Sequence, residues 1–255
     1  MTEAFNPVVV IPAHLASTRL SGKPLAEIAD TPMIVHVWRR ACAAKVGPVY
    51  VACADKPIAD TIRRAEGEAV MTRPDHASGS DRVFEALEEV DAEGRFDAVV
   101  NVQGDMPTLD PALIRTALAA LAGDGVDVAT LAAPIHDRAA RENPNVVKAV
   151  VAVAEGGGGG RALYFTRAAA PWGDGPVYHH IGLYAYRRAA LEAFVKLPPS
   201  PLEKRERLEQ LRALEAGMRI EVAFVDSPPE DVNTSADLER VRALMAGLEG
   251  APPRP

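Results

Sequence analysis

Apolar residues along this chain fall into two alternating rhythms. Residues 8–11, 49–52 and 98–102 are short unbroken apolar runs, the pattern of strands covered on both faces. Between them, residues 32–44, 57–66 and 80–91 repeat apolar positions at helical spacing, and a short strand falls near Val70. Asp110 and Pro111 form an N-cap and first-turn pair opening a helix to residue 122, and a further strand is predicted over 126–131. Strand, helix and strand in succession predict an α/β fold: a Rossmann-like, mostly parallel sheet flanked by helices. Beyond residue 131 the rhythm changes. Residues 146–153 and 162–166 read as a hairpin-like excursion around five glycines at 156–160. Residues 202–216 read as one helix with Leu208, Leu211 and Leu214 facing the core and Gly217 as its stop. This part predicts a smaller lobe inserted over the sheet.

With 255 residues, 48% of them apolar, the chain can bury a sizeable core as a single domain over residues 1–250, with a flexible tail at 249–255. A formal charge of −7 argues against a nucleic-acid polymer as partner, because that binding needs many spread cations. Any anionic ligand must be met by a few local cations. Cys42 and Cys53 are too few for a disulfide framework or a zinc knuckle and predict reduced thiols in a cytoplasmic protein. No basic segment leads into a signal-type apolar stretch, and no apolar run reaches the roughly 18 residues a bilayer span needs, so no membrane partner is expected.

Chemistry concentrates first in IPAHLASTRLSGKPL, residues 11–25, which follow the first strand. Arg19 can fork onto phosphate oxygens, Lys23 can act as a point charge, and Ser17, Thr18 and the turn at Gly22 let a polyphosphate approach the backbone. A solvated loop is the alternative. The glycine run is no Walker loop, since Gly160 leads into Arg161 and Ala162 rather than Lys and Ser or Thr. In VNVQGDMP, residues 100–107, a buried strand ends at Gln103, Gly104 and Asp105, where an Asp can hold Mg²⁺ against a triphosphate or simply cap a turn. In MTRPDHASGSDR, residues 71–82, small residues would let a flat base near the backbone, with Ser80 placed to cap the next helix; a plain loop and cap is the alternative. His179 and His180 adjoin, but no carboxylate or Cys stands at zinc-ligand spacing.

These three segments, with ALYFTRAAAPW (162–172), YHHIGLYAYR (178–187), PSPLEKRERLEQLRALEAG (199–217) and EDVNTSADLERV (230–241), resemble in order the motifs of the 3-deoxy-manno-octulosonate (Kdo) cytidylyltransferases, or CMP-Kdo synthetases. The resemblance covers about residues 7–245 and implies a nucleotide-diphospho-sugar transferase fold. It implies transfer of CMP from CTP to the 2-hydroxyl of Kdo for lipopolysaccharide biosynthesis, with Mg²⁺ as cofactor and a homodimer as the working state. Residues 1–135 would then bind nucleotide, 140–217 would form the sugar-binding and dimer lobe, and 218–246 a returning strand and helix. Nucleotide contacts are implied for Ala13, Ser17, Arg19, Lys23, His76, Ser78, Arg82 and Gln103, with Arg19, Lys23 and Asp105 catalytic. By the same resemblance Arg167 meets the Kdo carboxylate, His180 and Tyr184 flank the sugar, and Glu209 and Gln210 bind its hydroxyls.

The chain departs from the family at four places. Met106 stands where QGDEP has Glu, His14 where IPAR has Arg, and Ser21 where Pro is usual. Asn233 stands where VDTPxDLERV has its Asp, the second magnesium ligand opposite Asp105. An Asn carbonyl can ligate Mg²⁺ but removes a full charge; Asp231, two residues earlier, would point to the same side of an extended chain and can compensate. These departures leave two other readings open: a cytidylyltransferase for a related acidic sugar of the 8-amino Kdo or sialic acid type, and a weak nucleotide-binding paralogue.

Overall fold

The structure is a computed structural model that describes residues 5–16 and 20–249; Ser17, Arg19 and the tail beyond residue 249 lie outside the described residues. Its strands are β1 (Pro7–Ala13), β2 (Glu27–Ile28), β3 (Thr31–Pro32), β4 (Val49–Cys53), β5 (Glu68–Met71), β6 (Ala98–Asn101), β7 (Val128–Pro134), β8 (Lys148–Val153), β9 (Gly159–Thr166), β10 (Tyr178–Arg187) and β11 (Ile220–Phe224). Its helices are α1 (Met33–Ala43), α2 (Lys56–Arg64), α3 (Gly79–Val90), α4 (Pro111–Leu121), α5 (Arg138–Glu142), α6 (Arg188–Val195), α7 (Pro201–Glu206), α8 (Gln210–Glu215) and α9 (Ser235–Glu249). Among the described residues no helix is long and apolar enough to cross a membrane. The described residues divide into two compact units, one within Val9–Ala92, Val102–Pro111 and the residues from Pro229 to 249, the other of Phe5–Val8, Glu93–Asn101 and Ala112–Pro228.

In the first unit β1, β4 and β5 pair in parallel, Val9 opposite Val49 and Cys53 opposite Met71. Val9, Val10 and Ile11 are fully buried, as the unbroken apolar run of β1 requires. Because the strands run the same way, the loops after Ala13, Cys53 and Met71 leave at one edge, the standard ligand position of open α/β sheets. Helix α1 buries Met33, Ile34, Val35, Val37 and Ala41 on its inner face. Helix α3 is capped by Ser78, whose hydroxyl accepts from the Asp81 amide, not by Ser80, which is buried inside the first turn. A separate cluster of Ile28, Met33, Val232, Leu238, Val241 and Met245 fastens α9 and the segment before it.

The second unit orders its strands β6-β10-β7-β11-β9-β8. Here β7 and β11 are parallel, while β10 runs antiparallel to β6 and β7, and β9 antiparallel to β8 and β11. Strand pairing is therefore mixed, and the antiparallel share exceeds what the βαβ rhythm of the first half predicts, because tight turns such as the one between β8 and β9 can return a chain only antiparallel.

That turn takes less of the glycine run than the sequence suggests. Gly156 and Gly157 adopt positive φ in the turn, but Gly159 and Gly160 are part of β9. A Cβ on Gly159 would lie 2.2 Å from the Val222 oxygen and one on Gly160 2.1 Å from the Ala152 oxygen. Glycine is required there by two neighbouring backbones rather than by flexibility.

The helix expected over 202–216 is two helices. Arg207 takes a left-handed conformation at φ 56° and ends α7. Ser200 and Glu203 make a reciprocal cap at the start of α7, and Glu203 also holds Arg212 of α8 through a buried ion pair. An uninterrupted helix would put nine residues, two and a half turns, between those partners; the break folds α8 back so that they meet. Leu208 and Leu211 are buried as predicted, and Gly217 at φ 81° stops α8.

Candidate functional site

At the carboxyl edge of β1, β4 and β5 lies a cleft of about 370 Å³ walled by three segments: Pro12 to His14 and Ala16 with Lys23 and Pro24, residues 76–79 with Arg82, and Gln103 to Asp105. Of the nucleotide-side predictions, Ala13, Lys23, His76, Ser78, Arg82, Gln103 and Asp105 all line it. The ammonium of Lys23 donates to Asp105 Oδ2 at 2.7 Å, with both side chains largely buried. Strand end and loop thus place the single described cation of the 11–25 segment against the QGD carboxylate. Gly104 allows this: a Cβ there would stand 3.0 Å from the Pro12 oxygen.

Several lining residues also hold the cleft together. Ser78 both caps α3 and donates to Asp81 Oδ2 at 2.9 Å. The buried Arg82 donates to the Thr72 hydroxyl and the Arg73 carbonyl, fixing the strand end to α3. His76 is buried against Glu85 on α3. His14, at the position where the related motif has Arg, is exposed at the cleft wall. Met106 is 2% exposed, so its side chain belongs to the core.

The sugar-side predictions fall in the second unit. His180, Tyr184 and Gln210 come together: His180 Nδ1 lies 3.5 Å from Gln210 Nε2, and the His180 and Tyr184 rings are 5.5 Å apart. Glu209 lies close enough to help push the Tyr184 hydroxyl well above its usual pKa, after the larger effect of burial and that of Tyr186. Thr130 Oγ1 sits 3.0 Å from His180 Nε2 and 2.8 Å from the Leu183 carbonyl. A hydroxyl has one hydrogen, which goes to a carbonyl; His180 therefore donates from Nε2 and offers the Nδ1 lone pair to the Gln210 amide. Arg167 lies elsewhere in the unit's network. Its guanidinium donates to the carbonyls of Glu206, Pro144 and Arg207, and its amide to Glu206 Oε2.

Burial, reinforced by His179, drives the His180 pKa down to about 3. The unfolded chain takes up that proton near the ordinary value of 6.5, so the neutral ring stabilises the fold above that pH and the contribution is lost as pH falls from 6.5 towards 3. Between pH 7 and pH 5 the wild type should lose about 2 kcal/mol more unfolding free energy than His180→Gln, measured by urea denaturation. Equal losses in the two proteins would refute this.

A family model described as cytidylyltransferase matches residues 8–220. The chain belongs to the cytidylyltransferase family. It is 67% identical over 220 residues to the 3-deoxy-manno-octulosonate cytidylyltransferase of Parvibaculum lavamentivorans, covering 86% of this chain and 85% of that protein. It is 65% identical over 218 residues to the protein of the same name from Methylobacterium radiotolerans, covering 86% and 88%. A solved structure of CMP:2-keto-3-deoxy-manno-octonic acid synthetase complexed with CTP superposes with a TM-score of 0.87 at 40% identity, over 95% of this chain and 99% of that one. The expected nucleotide-diphospho-sugar transferase fold is borne out.

In this cytidylyltransferase the segment before α9 is tied to the QGD loop. The Val232 amide donates to the Asp105 carbonyl at 3.0 Å, the Glu230 amide to Thr108 Oγ1 at 2.8 Å, and Val232 is buried in the apolar cluster. Asn233 lies at the helix entry, its amide donating to Asp237 Oδ2. Asp231 is different: Oδ1 is buried with no hydrogen-bond partner. Burial first, and the Asp105 charge second, push its pKa up to about 8 despite Lys23. A buried carboxyl oxygen without a donor, next to a second carboxylate, is the environment a hard cation satisfies, so the residues present fit a divalent metal.

Sequence reasoning missed Thr130, Lys148 and Glu206. Lys148 is fully buried and donates to the carbonyls of Asn143, Val146 and Arg167. Glu206 accepts from Thr166 Oγ1 and the Arg167 amide. A lone Lys inside the apolar run VVKAVVAV is a readable signal, since charges are buried only when paired. Thr130 and Glu206 carry no such mark.

Proposed function

We propose that this cytidylyltransferase transfers CMP from CTP to the 2-hydroxyl of 3-deoxy-manno-octulosonate, releasing pyrophosphate, in lipopolysaccharide biosynthesis. The observation that carries the reading is the Lys23–Asp105 pair in the cleft at the carboxyl edge of the parallel strands. In the reaction the hydroxyl oxygen forms the bond to the α-phosphorus, the bond from that phosphorus to the bridging oxygen of pyrophosphate breaks, and the hydroxyl proton is released. Lys23 and Arg19 neutralise the charge that builds on the triphosphate, and no covalent nucleophile is needed. Ala13, Ser17, His76, Ser78, Arg82 and Gln103 position the nucleotide. Asp105, with the segment 231–233, would hold a divalent cation, Mg²⁺ in this reading, which when bound supplies charge neutralisation to the triphosphate. Arg167, His180, Tyr184, Glu209 and Gln210 recognise the acidic sugar, with residues 140–217 as the sugar and dimer part of a cytoplasmic homodimer.

The test is pyrophosphate release from CTP and Mg²⁺ with and without Kdo, with CMP-sugar followed by mass spectrometry. Release that depends on Kdo is expected. Release only with a different acidic sugar would move the acceptor, and no release despite CTP binding would overturn the transferase reading.

A further inference from the structure

Beside the Lys23–Asp105 pair stands a carboxyl group with one oxygen that no described residue satisfies. Asp105 already occupies Lys23 through Oδ2. Asp231 is held beside it by the hydrogen bond that the Val232 N–H donates to the Asp105 carbonyl and by the Thr108–Glu230 hydrogen bonds, and its Oδ1 is buried without a donor. Folding has thus brought two carboxyl groups near one another and left one oxygen without a donor, an arrangement that costs stability in the free protein. Nearby, Asn233 carries no charge, and its backbone is committed to the α9 cap through Asp237.

We infer that Asp231, not Asn233, supplies the second acidic ligand for the divalent cation in this chain, opposite Asp105. The inference rests on the proposed function and refines which residue serves it. Two protein carboxylates suffice, because such a cation takes most remaining ligands from water and substrate phosphates. The acidic residue stands two positions earlier along the segment, and Val232 between them stays in the core.

The experiment titrates Mn²⁺ into the full-length protein with CTP present, reading bound Mn²⁺ by electron paramagnetic resonance, and melts the same proteins without metal. Asp231→Asn should weaken Mn²⁺ at least tenfold, whereas Asn233→Ala should change it less than about threefold. Without metal, Asp231→Asn should melt higher than the wild type, since it relieves an unpartnered buried carboxyl, and should bind CTP no more weakly. Wild-type Mn²⁺ affinity in Asp231→Asn, or a large loss confined to Asn233→Ala, would overturn the assignment. A lower melting temperature for Asp231→Asn without metal would make the residue structural and overturn it as well. Absence of CTP-dependent Mn²⁺ binding in the wild type would instead overturn the underlying reading of the cleft.

Discussion

Replacing Asp105 by Asn is expected to lower kcat/KM for CTP by about 10³-fold, close to 4 kcal/mol of transition-state stabilisation. The side chain keeps its shape but loses the charge that meets Lys23 at 2.7 Å. Two opposing effects decide the size. Removing the carboxylate relieves repulsion on Asp231 but leaves the largely buried Lys23 ammonium without its charged partner, so the effects on the fold oppose each other. For activity, the site loses the charge that orients Lys23, and preorganised charge is commonly the largest single contribution to such catalysis. The variant should therefore melt within a few degrees of wild type while activity collapses. A fall of less than tenfold in steady-state assays of the folded variant would remove Asp105 from the catalytic set.

The second large effect is on stability. Lys148→Met should destabilise the protein by about 2 kcal/mol, because it takes the shared ammonium donor from the carbonyls of Asn143, Val146 and Arg167; Asn143 keeps the Val146 amide as a donor, and the bond lost by each of the other two is worth about 1 kcal/mol. Met fills similar volume, so packing loss is small and the missing hydrogen bonds dominate. Relief of burying an ammonium works the other way, and burial does lower the Lys148 pKa, but three short bonds already offset that cost in the native protein. The melting temperature should drop on the order of 6 °C for a chain of this size. On the proposed role of Arg167 in sugar recognition, the affinity for the acceptor sugar should weaken further than stability alone explains, since one of the three carbonyls belongs to Arg167. Chemical denaturation beside KM measurements for CTP and sugar separates the two, and an unchanged melting temperature would show the cage to be dispensable.

Local pattern determined much of this protein. The unbroken apolar run of β1, the helical spacing of α1, Gly217 as a stop and the QGD strand end all follow from side-chain chemistry acting over a few residues, and the structure places them as read. The cleft-lining residues among the described ones were legible for the same reason: loops at the carboxyl ends of parallel strands are fixed once the strands are. Other features depended on partners remote in sequence. The break between α7 and α8 comes from Glu203 meeting Arg212, and the need for Gly159 and Gly160 from the backbones of β11 and β8. Thr130 sets the tautomer of a histidine fifty residues away. Asp231 gains its character only because a segment more than a hundred residues beyond Asp105 is sewn against it by backbone hydrogen bonds, and burial there, not residue type, leaves its Oδ1 without a donor. Sequence determines which groups are available and their local conformation; tertiary structure decides which are desolvated and which face one another, because both depend on distance in space rather than along the chain.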